Sequence, residues 1–225
     1  MLTDAFENSV SRFSIRTTPS VCERAFTRPI RLMATPMSFP RNTEIHGEGE
    51  PADYFYEIVS GAVRSFKMLI DGRRQIGAFY LPGDLIGLET GEEYTFSAEA
   101  VTNTKVLVIK RSAVTSLAAR DSEFARQLWT VTSRELQRAR LHALLLVKSA
   151  PERVASFLLD MSERNQSGCK LELAMSRQDI ADHLGMAIET VSRTLSQFEQ
   201  ASAIALPSVR RVEIRDRAIL EQMIG

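Results

Sequence analysis

The chain has 225 residues, 44% of them apolar, enough for two modest domains with cores of their own. Its 28 basic residues balance 28 acidic ones, so net charge points to no class of partner. Two distant cysteines form no disulfide framework, no apolar run reaches membrane-helix length and the acid-bearing start is no secretion signal, so a cytoplasmic protein without a membrane partner is expected.

Residues 1–28 are polar and mixed, broken at Thr17-Thr18-Pro19-Ser20, and read as an N-terminal arm. From 29 to 120 the pattern becomes short β-rich runs: Tyr54 to Val59, Ala62 to Leu69, Gln75 to Leu81 and Lys105 to Ile109. Turn residues punctuate them at Gly61, Asp71-Gly72 and Pro82-Gly83-Asp84, a pattern that predicts a sandwich or jelly roll. Asp71-Gly72 is the strongest hairpin signal.

A helix is predicted over 121–148, roughly 40 Å long, more than a small barrel can cover. Leu128, Thr132, Leu136, Ala139, Ala143 and Leu146 fall near an a/d stripe, beside Trp129 and Val131. Part of such a helix packs on the barrel, and a stripe beyond that predicts pairing with a second copy. Pro151 fits the first position of the next helix and sets a hinge near Ser149-Ala150. The segment 151–225 is then a second domain.

Within it, Arg153 to Leu159 begins an amphipathic helix and Cys169 to Leu173 is a short strand. Ser176 caps a helix, with Asp179 in capping-box position and Ile180, Ala181 and Leu184 on one apolar face. Gly185 stands where the chain needs a positive φ, and Met186 and Val191 begin a second helix that packs back on the first. This is a helix-turn-helix. Ile188, Glu189, Ser192 and Arg193 are left facing outward. An arginine forks onto guanine, a glutamate accepts from cytosine, and isoleucine meets a thymine methyl, so double-stranded DNA is the expected partner. Ile204 to Leu206 and Val212 to Ile214 flank a basic turn and read as a wing. One expectation fails: from 151 onward acids slightly outnumber bases, so the arginines must be segregated from the acids if this half binds DNA.

Other chemistry finds little support. His46, His142 and His183 lie in separate elements with no ligand spacing, and Glu48, Glu50 and Asp53 form a solvated acidic turn. No nucleophile elbow, phosphate-binding loop or paired-carboxylate pattern is present, so no enzyme is expected. An iron–sulfur cluster needs about four thiolates. Cys169, between Gly168 and Lys170, is the better candidate redox residue of the two cysteines.

The runs Ser176-Arg177-Gln178-Asp179-Ile180-Ala181-Asp182 and Ile188-Glu189-Thr190-Val191-Ser192-Arg193 resemble the Crp/Fnr superfamily of transcription regulators, and most of all its FixK branch. Gly61-Ala62-Val63-Arg64, Asp71 to Ile76, Leu81-Pro82-Gly83-Asp84 and Phe96 to Val101 extend the resemblance to residues 40–215. It implies an α+β fold: a cyclic-nucleotide-domain-like β-roll, a dimerisation helix and a C-terminal winged helix-turn-helix. It also implies base reading by Glu189, Ser192 and Arg193 at a TTGAT-type palindrome, with Ile188 tuning the outermost position. Phosphate contacts would come from Ser176, Arg177 and Gln178, aided by Arg210 or Arg211 on the wing. A homodimer that activates RNA polymerase at low-oxygen or nitrogen-fixation genes follows from the same resemblance. Two positions depart from the pattern: Ala187 replaces the usual hydroxyl cap, and Thr194 an aliphatic residue.

Members that bind a cyclic nucleotide carry Gly-Glu after the Pro-Gly-Asp turn and then Arg-Ser or Arg-Thr. Here the stretches are Ile86-Gly87-Leu88-Glu89 and Phe96-Ser97-Ala98. No cofactor or effector is therefore expected, with Phe96 packing inward to fill the pocket. The alternative is a ligand-gated sensor whose roll holds a nucleotide, haem or another effector. A protein-interaction module without DNA recognition is a third reading, which the outward Glu189-Ser192-Arg193 face opposes.

Overall fold

A computed structural model describes residues 33–89, 91–165 and 168–224; the expected arm at 1–28, and Cys22, lie outside them. The strands are β1 (Thr35–Phe39), β2 (Glu44–His46), β3 (Tyr54–Ser60), β4 (Val63–Met68), β5 (Arg74–Tyr80), β6 (Leu85–Ile86), β7 (Ser97–Ala100) and β8 (Thr104–Lys110). They form two four-stranded antiparallel sheets, ordered β1-β8-β3-β6 and β2-β7-β4-β5. Tyr56, Ile58, Val63, Ile86, Ala98 and Val106 pack together as one core of this roll. Gly61 makes the tight β3–β4 connection at φ +90°, and a Cβ there would lie 2.5 Å from Thr104 Oγ1, so only glycine fits. Asp71-Gly72 lies in the β4–β5 hairpin turn, as expected.

Helix α1 (Arg111–Ala118) follows β8 directly and was not anticipated: its cap position, Lys110, makes no side-chain cap hydrogen bond that sequence could announce. Helix α2 (Ser122–Leu145) is capped by Asp121, whose carboxylate accepts from Phe124 N. Phe124 anchors α2 in a cluster with Phe55, Leu85, Ile109 and Val114. Leu128, one turn on, shares that inward face and also packs on the roll, while Leu146 falls just past the helix end. The exposed stripe thus loses Leu128 and Leu146 at its two ends and keeps the rest. Thr132, Leu136, Ala139 and Ala143 remain on the surface, now beside Trp129, which is 74% exposed, and Leu144.

Helix α3 (Ala150–Arg164) starts one residue earlier than expected, with Pro151 in its second position and Glu152 closing a capping box on Ser149. The remaining elements are β9 (Lys170–Glu172), α4 (Arg177–Leu184), α5 (Ile188–Gln200), β10 (Ile204–Ser208), β11 (Arg211–Ile214) and α6 (Arg217–Gln222). Strands β10, β11 and β9 make a three-stranded antiparallel wing sheet. Val154, Leu158, Leu184, Val191, Leu195, Phe198 and Ile204 form the core of this domain, which runs on without a break into Ile76, Phe79 and Leu81 of the roll. The two domains therefore share buried apolar surface.

Candidate nucleic-acid interface

The interface is built on α4 and α5. Ser176 Oγ accepts from Asp179 N, and Asp179 Oδ2 accepts in return from Ser176 N at 2.9 Å, which closes the capping box. Gly185 ends α4 at φ 63°, ψ 43°, the left-handed conformation that turns the chain into α5. Ile180, Ala181 and Leu184 are buried beneath Val191 and Leu195. Arg153 of α3 braces the turn from behind. Its Nη1 donates to Leu184 O at 2.9 Å and its Nε to Lys148 O at 2.8 Å, tying the hinge to the helix-turn-helix. Sequence reasoning passed over Arg153 because nothing local marks a guanidinium that satisfies another helix's last carbonyls.

Glu189, Ser192 and Arg193 are exposed on α5. Ile188 is not fully with them: it is half-buried and packs against the domain core, because it opens the helix beside the turn. Ala187 supplies no side-chain cap, and Thr194 is buried. Arg177 is half-buried with one guanidinium nitrogen, Nη1, buried and without a hydrogen-bond partner, and burial pulls its pKa down. An arginine at a helix N-terminus suits an anionic oxygen only through the guanidinium nitrogens that reach the surface. Ser176 and Gln178 are engaged instead: Ser176 Oγ donates to Asp179 Oδ2 and Gln178 Nε2 to Asp182 Oδ1. On the wing, Arg211 is exposed, whereas Arg210 donates to Ala174 O at 3.2 Å and so braces the segment before α4.

The acids that outnumber the bases are mostly spent elsewhere. Asp160 pairs with Arg164, Glu163 and Glu221 with Arg217, and Asp179 and Asp182 with arginines of the roll. Glu152 and Asp216 cap helices.

Comparison with known proteins agrees with this geometry. Residues 36–121 match the model of the cyclic nucleotide-binding domain, and residues 152–223 that of the Crp-like helix-turn-helix domain. Over 205 residues the chain is 51% identical to the nitrogen fixation regulation protein FixK of Azorhizobium caulinodans, covering 87% of this chain and 83% of that one. The chain belongs to the FixK branch of the Crp/Fnr family. It is also 38% identical to the transcriptional activator protein Anr of Pseudomonas protegens, over 79% of this chain and 75% of that one. The structure of FixK2 from Bradyrhizobium japonicum superposes with a TM-score of 0.82 at 47% identity, covering 85% of this chain and 98% of that one. Its Crp-like helix-turn-helix makes this FixK-type chain a DNA-binding transcription regulator, and the family is not one of enzymes.

The roll of this FixK-type protein does not look as expected around Phe96. That ring lies over Gly77, where a Cβ would stand 3.0 Å from it, but it lines a cavity of about 840 Å³ and does not fill it. Leu88, Thr132, Leu136 and His142 line the same space. The cations around it are committed: Arg138 to Asp84, Arg164 to Asp84 and Phe79 O, and Lys148 to Ile224 O. One oxygen of Glu89, Oε2, is buried without a hydrogen-bond partner. His142 and His183, far apart in sequence, stack with centroids 4.1 Å apart at this cavity. Burial pushes His183 down to about 3, so the ring is neutral, its Nδ1 lying 3.2 Å from Ile76 O. No group of three metal-ligating side chains occurs among the described residues.

Proposed function

We propose that this FixK-type regulator acts in the cytoplasm as a homodimeric transcription activator that reads a TTGAT-type palindrome. The observation that carries this reading is the exposed Glu189, Ser192 and Arg193 face on a helix held by the Gly185 turn and the shared core. Dimerisation is supported by Trp129, Leu136, Ala143 and Leu144 on α2, apolar side chains left exposed at close to heptad spacing. Two recognition helices in such a dimer would meet half-sites about 34 Å apart. RNA polymerase is the partner through which an activator works, and the names of the FixK relatives point to nitrogen-fixation genes; low-oxygen genes are the wider class that the family resemblance implies. Among the described residues no helix is long and apolar enough to cross a membrane.

We read the roll as effector-free. Phe96 stands where a nucleotide phosphate would need a cation, and Leu88 cannot accept from a ribose hydroxyl. A second reading, the ligand-gated sensor, draws support from the open cavity and the unpaired Glu89 oxygen. Footprinting on a TTGA-N6-TCAA palindrome decides between them. Protection without additives, unchanged by cyclic AMP or cyclic GMP, and no calorimetric heat above dilution are expected. Protection that needs either nucleotide would promote the sensor, and none under any condition would sink both.

Cys169 is exposed and is proposed as a redox handle, although the neighbouring Lys170 ammonium lies 4.0 Å from Glu213. Peroxide should weaken DNA binding by the wild type and spare Cys169→Ser. Equal loss in both would rule the residue out.

A further inference from the structure

Helix α4 carries two acids, and neither faces outward with the reading residues. Asp179 is 4% exposed. Its Oδ2 closes the capping box on Ser176, while its Oδ1 accepts from Arg64 Nη1 at 2.8 Å and from Arg74 Nη2 at 2.6 Å. Asp182 Oδ2 accepts from Arg74 Nε at 2.9 Å and Nη2 at 2.7 Å, and its other oxygen from Gln178. Arg64 is itself buried and reaches Glu99 on β7 with its second nitrogen, at 2.8 Å. The two arginines stand on the paired strands β4 and β5, more than a hundred residues before the acids in sequence. The result is a connected network, two guanidinium groups and three carboxylates, that spans the domain boundary.

A contact whose only task was adhesion could be apolar. The two domains already share an apolar core, and a well-packed hydrophobic patch stabilises at least as well as buried charge. What forked guanidinium–carboxylate bonds add is direction, because their geometry is satisfied at one orientation of the partners. The helix they orient is the one that carries Arg177 at its start and holds α5 through its buried face. Asp179 joins both ends of this chain of contacts, as cap of α4 and as acceptor for the roll.

We propose that Arg64 and Arg74 of the β-roll are positioning residues for DNA recognition: through Asp179 and Asp182 they fix the orientation of α4 and α5, and so the separation of the two recognition helices in the dimer. This rests on the reading of the chain as a dimeric operator-binding regulator. The predicted consequence is selectivity for half-site spacing, a property of orientation that a contribution to stability alone would leave unchanged.

The test is fluorescence anisotropy of the full chain on TTGA-N6-TCAA duplexes and on versions with the spacer one base pair shorter or longer. Arg74→Ala is expected to lose about tenfold on the native spacing, as the competent orientation becomes a minor population, and to bind all three spacings within about twofold of one another. Base substitutions inside a half-site should cost the variant what they cost the wild type. Arg74→Lys keeps the charge but cannot fork onto two acids, so it should lie between, and it decides the matter if Arg74→Ala does not fold. Wild-type spacing preference in Arg74→Ala or Arg74→Lys overturns the proposal. Failure of the wild type to bind any palindrome is a separate result, and it removes the regulator reading on which the proposal stands.

Discussion

Phe198→Ala is expected to destabilise the C-terminal domain by about 3–5 kcal/mol, the cost of truncating a large aromatic side chain in a packed core. Phe198 is only 2% exposed and sits on the inner face of α5, packed with the core that includes Leu158, Leu195 and Ile204. Those contacts come from three elements, so the cavity left by the ring cannot collapse by one rotamer change. A domain of ordinary stability holds about 5–15 kcal/mol, so the loss takes a large fraction of it. The recognition helix would then lose its floor and DNA binding with it. The single tryptophan, Trp129, lies on α2 outside this domain, so its fluorescence and the far-ultraviolet circular dichroism report different parts of the molecule. In a denaturant titration the dichroism should show an early transition in the variant. A shift worth under about 1 kcal/mol would mean that Phe198 is not central to the domain.

The helix-turn-helix was legible because its signals are local. A capping box needs residues three apart, a left-handed turn needs one glycine, and a helix face repeats within a few positions. The structure forms all three, at Ser176 and Asp179, at Gly185, and at Ile180, Ala181 and Leu184. The β4–β5 hairpin announced itself in the same way, through Asp71-Gly72. What escaped notice depends on distant partners. Asp179 reads in sequence as a cap and nothing more, and no local pattern ties it or Asp182 to Arg64 and Arg74 until the fold joins them. His142 and His183 share no ligand spacing and yet stack. Leu128 was counted with the α2 stripe because it repeats well in sequence, while its inward direction is set by Phe124 and the sheet beneath; Thr132, Leu136, Ala139 and Ala143 stay exposed. Phe96 was expected to fill the pocket because it stands in place of an arginine, but a ring in contact with Gly77 covers one wall and leaves the volume open.

Arg193→Ala should abolish discrimination at the guanine of each half-site, at about 1–3 kcal/mol per base pair and twice in a palindrome. The reasoning starts from exposure: Arg193 stands out on α5 and forms no ion pair among the described residues, so its fork is available to a base edge. Arg177→Ala should behave differently. Its partly buried guanidinium sits at the first turn of α4, where the proposed contacts are with phosphate oxygens, which carry no base information. Binding should weaken alike on operator and on unrelated DNA, and the slope of log affinity against log salt should fall by about one per subunit. Competition between the wild-type palindrome and one with the guanines replaced, measured across a salt series, separates the two roles. If Arg177→Ala changes base preference while Arg193→Ala leaves it intact, the roles assigned to α4 and α5 are reversed, and the outward face of α5 no longer accounts for sequence recognition.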